Sequence, residues 1–229
     1  MAYVQITTRC NFHCEHCCYA CTMDGEDMSP EVFAAALKLC EEEDQHIDIG
    51  GGEPTLHPEF WHFLIDAIAS DCEYVWLATN GSITKTAIKL AKLAQKGVIG
   101  CDLSQDFYHD PIDIEVIHAF TVGKEPRHFG YGDDQITKDM REIRDVFKNE
   151  DRTAPWRDPE EGGDPNNCPC EGLIIKPNGD IHQCGCLNSP KIGDVFNGYE
   201  YLKDEYGDDI YECWQQSASY KGNECNEAA

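Results

Sequence analysis

Short apolar runs alternate with longer segments of helical periodicity through the first half of the chain. The apolar runs have the length and β-branched content of buried strands, and the segments between them repeat apolar residues at helical spacing. Strands are predicted at about residues 3–8, 46–49, 74–78 and 98–103. Helices are predicted at about 29–43, 57–68, 84–96, 113–120 and 135–147, with Ser29 and Pro30 starting the first.

This alternation is typical of β/α units built around a parallel sheet. The pattern fades over residues 121–132, where no apolar run is present. With 229 residues, the chain is too short for a full eight-fold barrel that also carries the C-terminal cysteine segment. We therefore predict an α/β fold, an open partial (β/α) barrel with a small cysteine-bearing β-hairpin after it.

Unusual residues follow the first two predicted strands. Cys10, Cys14 and Cys17 form a C-x3-C-x2-C run after the first strand, and a Gly-Gly-Gly-Glu-Pro segment at 50–54 follows the second. Active sites in parallel α/β sheets lie at the carboxyl ends of strands. Three thiolates at this spacing can hold three irons of a [4Fe-4S] cluster and leave the fourth open, although a zinc site completed by a histidine fits the cysteines alone.

Together the two motifs resemble those of the radical S-adenosylmethionine (SAM) enzymes. The resemblance implies that the three cysteines bind the cluster and that SAM chelates its open iron. It also implies that the segment Gly51, Gly52, Glu53 and Pro54 contacts the methionyl end of SAM, with Glu53 near the amino group. The family's core is itself a partial barrel.

Two further segments resemble family motifs at the ends of the third and fourth strands. Asn80 lies in a Thr-Asn-Gly turn, and Ser104 and Asp106 form an S-x-D segment. The resemblance implies that these side chains reach SAM. A tight turn at Asn80 and helix capping by Asp106 are the structural alternatives. His109 could face the substrate or the solvent.

In this family, one electron from the reduced cluster cleaves SAM to methionine and a 5′-deoxyadenosyl radical, which then removes a hydrogen atom from the substrate. The resemblance therefore implies oxygen-sensitive chemistry and an electron donor such as a flavodoxin or ferredoxin. The chain is expected to be an enzyme of this type.

A second cysteine group flanks a predicted hairpin. Pro177 to Asp180 form a turn between short strands at 173–176 and 181–183. The group comprises Cys168, Cys170, Cys184 and Cys186. The segment resembles the Twitch or shortened SPASM extension of radical SAM maturases, which implies an auxiliary iron-sulfur cluster; zinc is the alternative. The closely spaced C-terminal cysteines of a full SPASM domain are missing, since only Cys213 and Cys225 follow.

The composition limits which classes of partner and which cellular compartment are expected. The net charge is −25, with 18 basic residues scattered among 43 acidic ones, which argues against a nucleic-acid surface. No apolar run has the length of a membrane span, and the N-terminus does not resemble a signal peptide. We expect a cytoplasmic protein whose clustered cysteines, among 14 in all, bind metal or iron-sulfur rather than form disulfides, while Cys40, Cys72 and Cys101 are expected to be buried apolar residues.

We predict a core at 1–147, an acidic linker rich in proline and glycine at 148–167, and an auxiliary extension with a tail at 168–229. Relatives with such an extension most often modify peptides or proteins, so a peptide or protein is the expected substrate. The alternatives are a small molecule or nucleotide, as in deazaguanine synthases or nucleotide-dehydrating members, a glycyl-radical partner, and a non-catalytic iron-sulfur or zinc scaffold.

Overall fold

The fold is given by a computed structural model of the chain. It describes residues 2–14, 17, 19, 21–43, 46–106, 109–124, 139–144, 173–183, 189–203 and 206. The helices in these ranges are α1 (Pro30–Glu43), α2 (Phe60–Ala69), α3 (Thr84–Gln95) and α4 (Ile114–Thr121). The strands are β1 (Ala2–Thr7), β2 (His46–Gly51), β3 (Tyr74–Thr79), β4 (Gly100–Ser104), β5 (Arg141–Arg144), β6 (Leu173–Ile175), β7 (Asp180–His182), β8 (Lys191–Asp194) and β9 (Gly198–Tyr199).

All nine strands belong to one sheet, in the order β5-β4-β3-β2-β1-β6-β7-β8-β9. The pairs from β5 to β6 are parallel, and the remaining pairs are antiparallel. β1 to β5 follow one another across the sheet, and crossovers between parallel strands are right-handed, so the connecting helices share one face. The mixed α/β fold with a parallel sheet that the sequence predicts is therefore confirmed.

The hydrophobic core lies between the helices and the sheet face that they cover. Alternate strand residues point into it, and the rings of Phe33 on α1 and Phe63 on α2 stack with centroids 4.1 Å apart. The buried strand residues in this core include Val4, Ile6, Ile47, Ile49, Leu77 and Leu103. Burial of these side chains fixes the register, because a shift by one residue would turn them to the opposite face.

The opposite face of the sheet, which we call the inner face, is polar and aromatic. Strand alternation places on it Tyr3, Gln5, Asp48, Trp76, Asp102 and Arg144. A sheet face covered by helices would carry apolar side chains there as well. The polar composition therefore indicates a face that receives a ligand or another segment.

Most predicted boundaries agree with the structure to within two or three residues. α1 begins at Pro30 as predicted, and the Ser29 hydroxyl accepts the N–H of Val32 over 3.2 Å. Along α2, the buried residues are Phe60, Phe63, Leu64 and Ala67, whereas Ile68 is exposed. None of the helices in the described part of the chain has the length and apolar character needed to cross a bilayer.

The predicted helix at 135–147 is wrong where the structure describes it. Residues 141–144 form β5, which pairs in parallel with β4. Arg141 is buried and donates to the Asp139 carboxylate over 2.8 Å and to the carbonyl of Ala119 in the last turn of α4 over 2.6 Å. An arginine that satisfies both a carboxylate and the end of a helix holds the edge strand against α4.

The predicted hairpin arms form β6 and β7, which pair antiparallel around a turn with Gly179 at φ +88°. β6 also pairs with β1, joining Tyr3 to Ile174 in register. The hairpin is thus continuous with the sheet that carries the first cysteine motif.

Candidate active site

The loop that carries the first three cysteines is closed at its base. The N–H of Thr8 donates to the carbonyl of Glu26 over 2.8 Å, and the N–H of Cys10 donates to Thr22 over 3.0 Å. These bonds bring the two ends of the loop together just beyond β1. The loop between them is therefore anchored to the sheet on both sides.

The glycine-rich segment after β2 packs against this loop. The N–H groups of Gly52 and Glu53 donate to the carbonyls of Thr7 and Arg9, each over 2.8 Å. A Cβ on Gly52 would overlap the Arg9 carbonyl and lie 2.8 Å from the Cβ of Cys10. Only glycine permits this approach, so the segment and the first cysteine are in direct contact.

The Glu53 carboxylate is fully buried and receives four hydrogen bonds from the chain. Thr55 donates its N–H over 3.2 Å and its hydroxyl over 2.5 Å, Thr79 donates its hydroxyl over 2.8 Å, and Asn80 donates its N–H over 2.6 Å. Burial raises the pKa of this carboxyl, and the four donors oppose that rise. Oε1 accepts three of these bonds and Oε2 accepts one, so Glu53 links the ends of β2 and β3 while Oε2 keeps room for one more donor.

The predicted turn residue Asn80 lies beside the first cysteine. Its side-chain NH₂ is 4.0 Å from the sulfur of Cys10 and donates to the side-chain carbonyl of Asn11 over 3.2 Å. Ser82 donates its hydroxyl to the same Asn11 oxygen over 3.1 Å. The ends of β1, β2 and β3 therefore meet at Cys10.

The three cysteine thiols are near enough to influence one another. Burial is the largest cause that raises the pKa of Cys14, to about 12, and Cys10 and Cys17 contribute. Among the described residues, no group of three potential ligands is arranged to hold a single metal ion. A cubane binds its thiolates at separate corners and does not need them to converge on a point, so three soft sulfur donors on one anchored loop fit a [4Fe-4S] cluster.

The S-x-D segment at the end of β4 approaches the same loop from the other side. Asp106 has a side chain with no exposed surface, and its Oδ1 lies 2.7 Å from Nδ1 of His109. The His109 ring meets Phe12 of the cysteine loop edge-on at 6.2 Å between centroids. Asp106 thus orients His109, and Asp113 rather than Asp106 caps α4 by accepting the N–H of Glu115.

Two residues of the inner face, Arg144 and Asp48, were not predicted from the sequence as site residues. Arg144 pairs in register with Ser104, so a guanidinium lies on the inner face next to the predicted SAM contact. Burial raises the pKa of Asp48 on the same face to about 6, and the positive charges of the N-terminal ammonium, His46 and Arg144 partly offset this rise. The sequence does contain an indication of Asp48 as a site residue, because a charged residue inside a short apolar strand is rare unless its face is functional.

The second cysteine group lies outside the described residues. This holds for Cys168, Cys170, Cys184 and Cys186, and also for Cys213 and Cys225. The described β6 and β7 lie between the two pairs in sequence. The auxiliary site therefore stays a prediction.

Comparison with known proteins identifies the class. The family model of the radical SAM superfamily matches residues 4–151, which is more than half of the chain. The chain belongs to the radical SAM superfamily. Its members are enzymes that use SAM, so the prediction of a radical SAM enzyme is confirmed, and membership implies a [4Fe-4S] cluster and SAM as cofactors.

Individual relatives are more distant. Over 100 residues the chain is 36% identical to the tungsten-containing aldehyde ferredoxin oxidoreductase cofactor-modifying protein of Pyrococcus furiosus, covering 42% of this chain and 28% of that protein. Among solved structures, BtrN in complex with AdoMet and 2-DOIA has a TM-score of 0.59 at 13% identity, covering 85% of this chain and 77% of that one. Native anSMEcpe with bound AdoMet and Kp18Cys peptide has a TM-score of 0.50 at 15% identity, covering 87% and 79%. At these identities the two structures show a shared fold.

Proposed function

We propose that this chain is a radical SAM enzyme that modifies a peptide or protein. The [4Fe-4S] cluster is held by Cys10, Cys14 and Cys17. When bound, the cluster and SAM supply one-electron cleavage of the bond between the SAM sulfur and its 5′ carbon, giving methionine and a 5′-deoxyadenosyl radical that takes a hydrogen atom from the substrate. The observation that carries the proposal is the meeting of three strand ends at Cys10, together with the family match over residues 4–151.

The SAM contacts are assigned from the chemistry of the surrounding groups. Backbone groups of Gly51, Gly52 and Pro54 line the segment that packs on the cysteine loop, and they are the proposed partners of the SAM amino group. Glu53 holds the ends of β2 and β3 together through Oε1, and its Oε2, which receives a single hydrogen bond from Asn80, is a further proposed partner of the SAM amino group. Asn80 holds the cysteine loop in place.

Binding of the SAM carboxylate requires a positively charged group at the same edge of the sheet. The Arg144 guanidinium lies beside Ser104, and the Arg144 Nε is buried without a hydrogen-bond partner in the described part of the chain. An arginine forms paired, charge-assisted hydrogen bonds with a carboxylate. Ser104 and Arg144 are therefore the proposed binding site of the SAM carboxylate. Asp106 acts indirectly, by orienting His109.

The C-terminal segment is proposed to bind an auxiliary iron-sulfur cluster through Cys168, Cys170, Cys184 and Cys186, with zinc as the alternative ligand. Residues 1–147 form the core, 148–167 the linker and 168–229 the extension. An electron donor such as flavodoxin or ferredoxin would reduce the cluster. The cytoplasm suits such oxygen-sensitive chemistry.

A peptide substrate is supported by the polar inner face and by the fold shared with anSMEcpe, whose structure holds a bound peptide. The fold shared with BtrN, whose structure holds 2-DOIA, supports a small molecule as the second candidate. Both candidates require the same radical, so the first experiment addresses SAM cleavage.

The experiment measures 5′-deoxyadenosine from the anaerobically reconstituted, reduced protein with SAM, together with iron, sulfide and zinc per chain. Cys17→Ala should lose 5′-deoxyadenosine formation. The control Cys72→Ala changes a thiol beyond α2, away from the cysteine loop, and should retain it. About eight irons per chain would support a second cluster, and about four irons with one zinc would support the alternative. A reducible cluster that yields no 5′-deoxyadenosine would contradict the proposed catalysis.

A further inference from the structure

One helix of this acidic protein carries only positively charged side chains. Residues 74–101 contain four lysines and no aspartate or glutamate, in a chain whose net charge is −25. The four lysines, on α3 and directly after it, are Lys85, Lys89, Lys92 and Lys96. At 3.6 residues per turn, they lie within about 60° of one another around the helix axis. We call this row the lysine stripe.

The lysine stripe is not neutralised by the chain itself. All four side chains are exposed, and within the described residues none of them forms an ion pair. By contrast, Lys38 on α1 pairs with Glu42, and Lys191 on β8 pairs with Asp180. Like charges three or four positions apart destabilise a helix slightly, so the stability of α3 does not account for the stripe.

A row of apolar side chains on α2 runs beside the lysine stripe. The Lys89 Nζ lies 5.4 Å from the centroid of the Trp61 ring. Ile65 and Ile68 follow Trp61 by four and seven positions, so they share its side of α2, and they are 57% and 38% exposed. Asp66, the acidic residue of α2, is five positions after Trp61 and points away from this side. Exposed apolar side chains bordered by charged ones are typical of a protein–protein interface.

Both rows begin at the edge of the sheet where Cys10 lies. α2 follows the glycine-rich segment, and α3 follows the turn at Asn80. Ser82, three residues before Lys85, donates its hydroxyl to Asn11 of the cysteine loop over 3.1 Å. A protein docked on α2 and α3 would therefore approach the proposed cluster from the helix-covered side and leave the inner face to SAM and the substrate.

We propose that the lysine stripe docks the electron donor, an electron-transfer protein with an acidic surface. The overall charge of the chain repels such a donor, whereas a local row of cations attracts and orients it. In each productive encounter, the donor gives one electron to the oxidised cluster and is itself oxidised by one electron. This inference rests on the proposed function and names the partner that reduces the cluster.

The test titrates a flavodoxin of negative net charge into the full chain with its cluster reconstituted, by anaerobic calorimetry. Lys85→Gln/Lys92→Gln should raise Kd at least about fivefold at low salt, and the difference should fall to within about twofold at about 0.5 M salt. Glutamine is a good helix former, so α3 should be retained. Lys38→Gln/Lys191→Gln removes the same charge from exposed positions elsewhere and should keep the parental Kd within about twofold.

The same variants are then assayed for 5′-deoxyadenosine with two reductants. With reduced flavodoxin, the rate at a low donor concentration should fall in Lys85→Gln/Lys92→Gln in proportion to the weaker binding. With dithionite, which needs no docking surface, the rate should stay within about twofold of the parent. If dithionite supports 5′-deoxyadenosine formation, the proposed catalysis stands whatever the flavodoxin result. If neither reductant does, the proposed catalysis fails, and the titration still decides the docking.

Several results would overturn the inference. These are no binding of flavodoxin to the parent, a Kd that neither salt nor the stripe substitutions change, and an equal loss in Lys38→Gln/Lys191→Gln. A single-stranded DNA of about 20 nucleotides that binds more tightly than flavodoxin, and is released by the stripe substitutions, would assign the surface to a nucleic acid instead. A dimer of the parent that dissociates in the stripe variant would assign it to a second copy of the chain.

Discussion

Replacing Asp48 by asparagine should make the protein more stable. Burial raises the pKa of this carboxyl from 3.8 to about 6, against smaller opposing effects of the chain's N-terminal ammonium, His46 and Arg144. The unfolded chain ionises at the lower pKa, so the folded state loses stability as the pH rises between the two values, and the loss is complete above the higher one. At about 1.36 kcal/mol per pKa unit, the loss is about 3 kcal/mol at pH 8 and about half of that at pH 5.

The assay is urea unfolding of the cluster-free chain at pH 8 and pH 5. The cluster is omitted because unfolding coupled to loss of a metal is not two-state. Asp48→Asn should gain about 3 kcal/mol in the free energy of unfolding at pH 8 and about 1.6 kcal/mol at pH 5. Asp66→Asn, on the exposed side of α2, should stay within about 0.5 kcal/mol of the parent at both. A less stable Asp48→Asn at pH 8, or a gain that does not change with pH, would refute the reasoning.

Three further predictions concern the framework of the site. Glu53→Gln replaces one carboxylate oxygen by an NH₂ group that faces other donors, so it should lower the free energy of unfolding by about 2–4 kcal/mol in urea titrations; an unchanged midpoint would contradict the role of these four hydrogen bonds. Gly52→Ala should prevent cluster assembly, read as iron per reconstituted chain; Gly123→Ala, which strains the backbone at φ +68° but meets no neighbouring atom, should retain iron. Arg141→Met should cost about 3–5 kcal/mol by leaving Asp139 unpaired, and thermal unfolding should recover partly when Asp139→Asn is added.

The strand ends that carry chemistry could be predicted because each follows a short apolar run. Cys10, Glu53, Asn80 and Ser104 all come after such a run, and a parallel sheet brings the carboxyl ends of its strands to one edge. That the Glu53 carboxylate is satisfied within the chain could not be predicted. It depends on hydrogen bonds from residues 26 and 27 positions later, which a local pattern does not contain.

β5 was missed for a different physical reason. Its residues alternate between the core and the polar inner face, so Arg141 and Arg144 interrupt any apolar run. Met140 and Ile143, together with apolar residues on either side, also match helical spacing, so the pattern predicts a helix over residues 135–147. The buried Arg141 is stabilised by a carboxylate and a helix end that only the tertiary structure brings together.

β1 lies between β2 and β6, and this has a consequence for biosynthesis. Ala2 in β1 pairs with Leu173 in β6, so the strand that leads into the cysteine loop lacks its second neighbour until the whole segment between them has been translated. Pairing over such a sequence separation is slow compared with local structure formation. We therefore expect the iron-sulfur machinery of the cell to deliver the cluster only after β6 has been translated and the sheet has closed around its first strand.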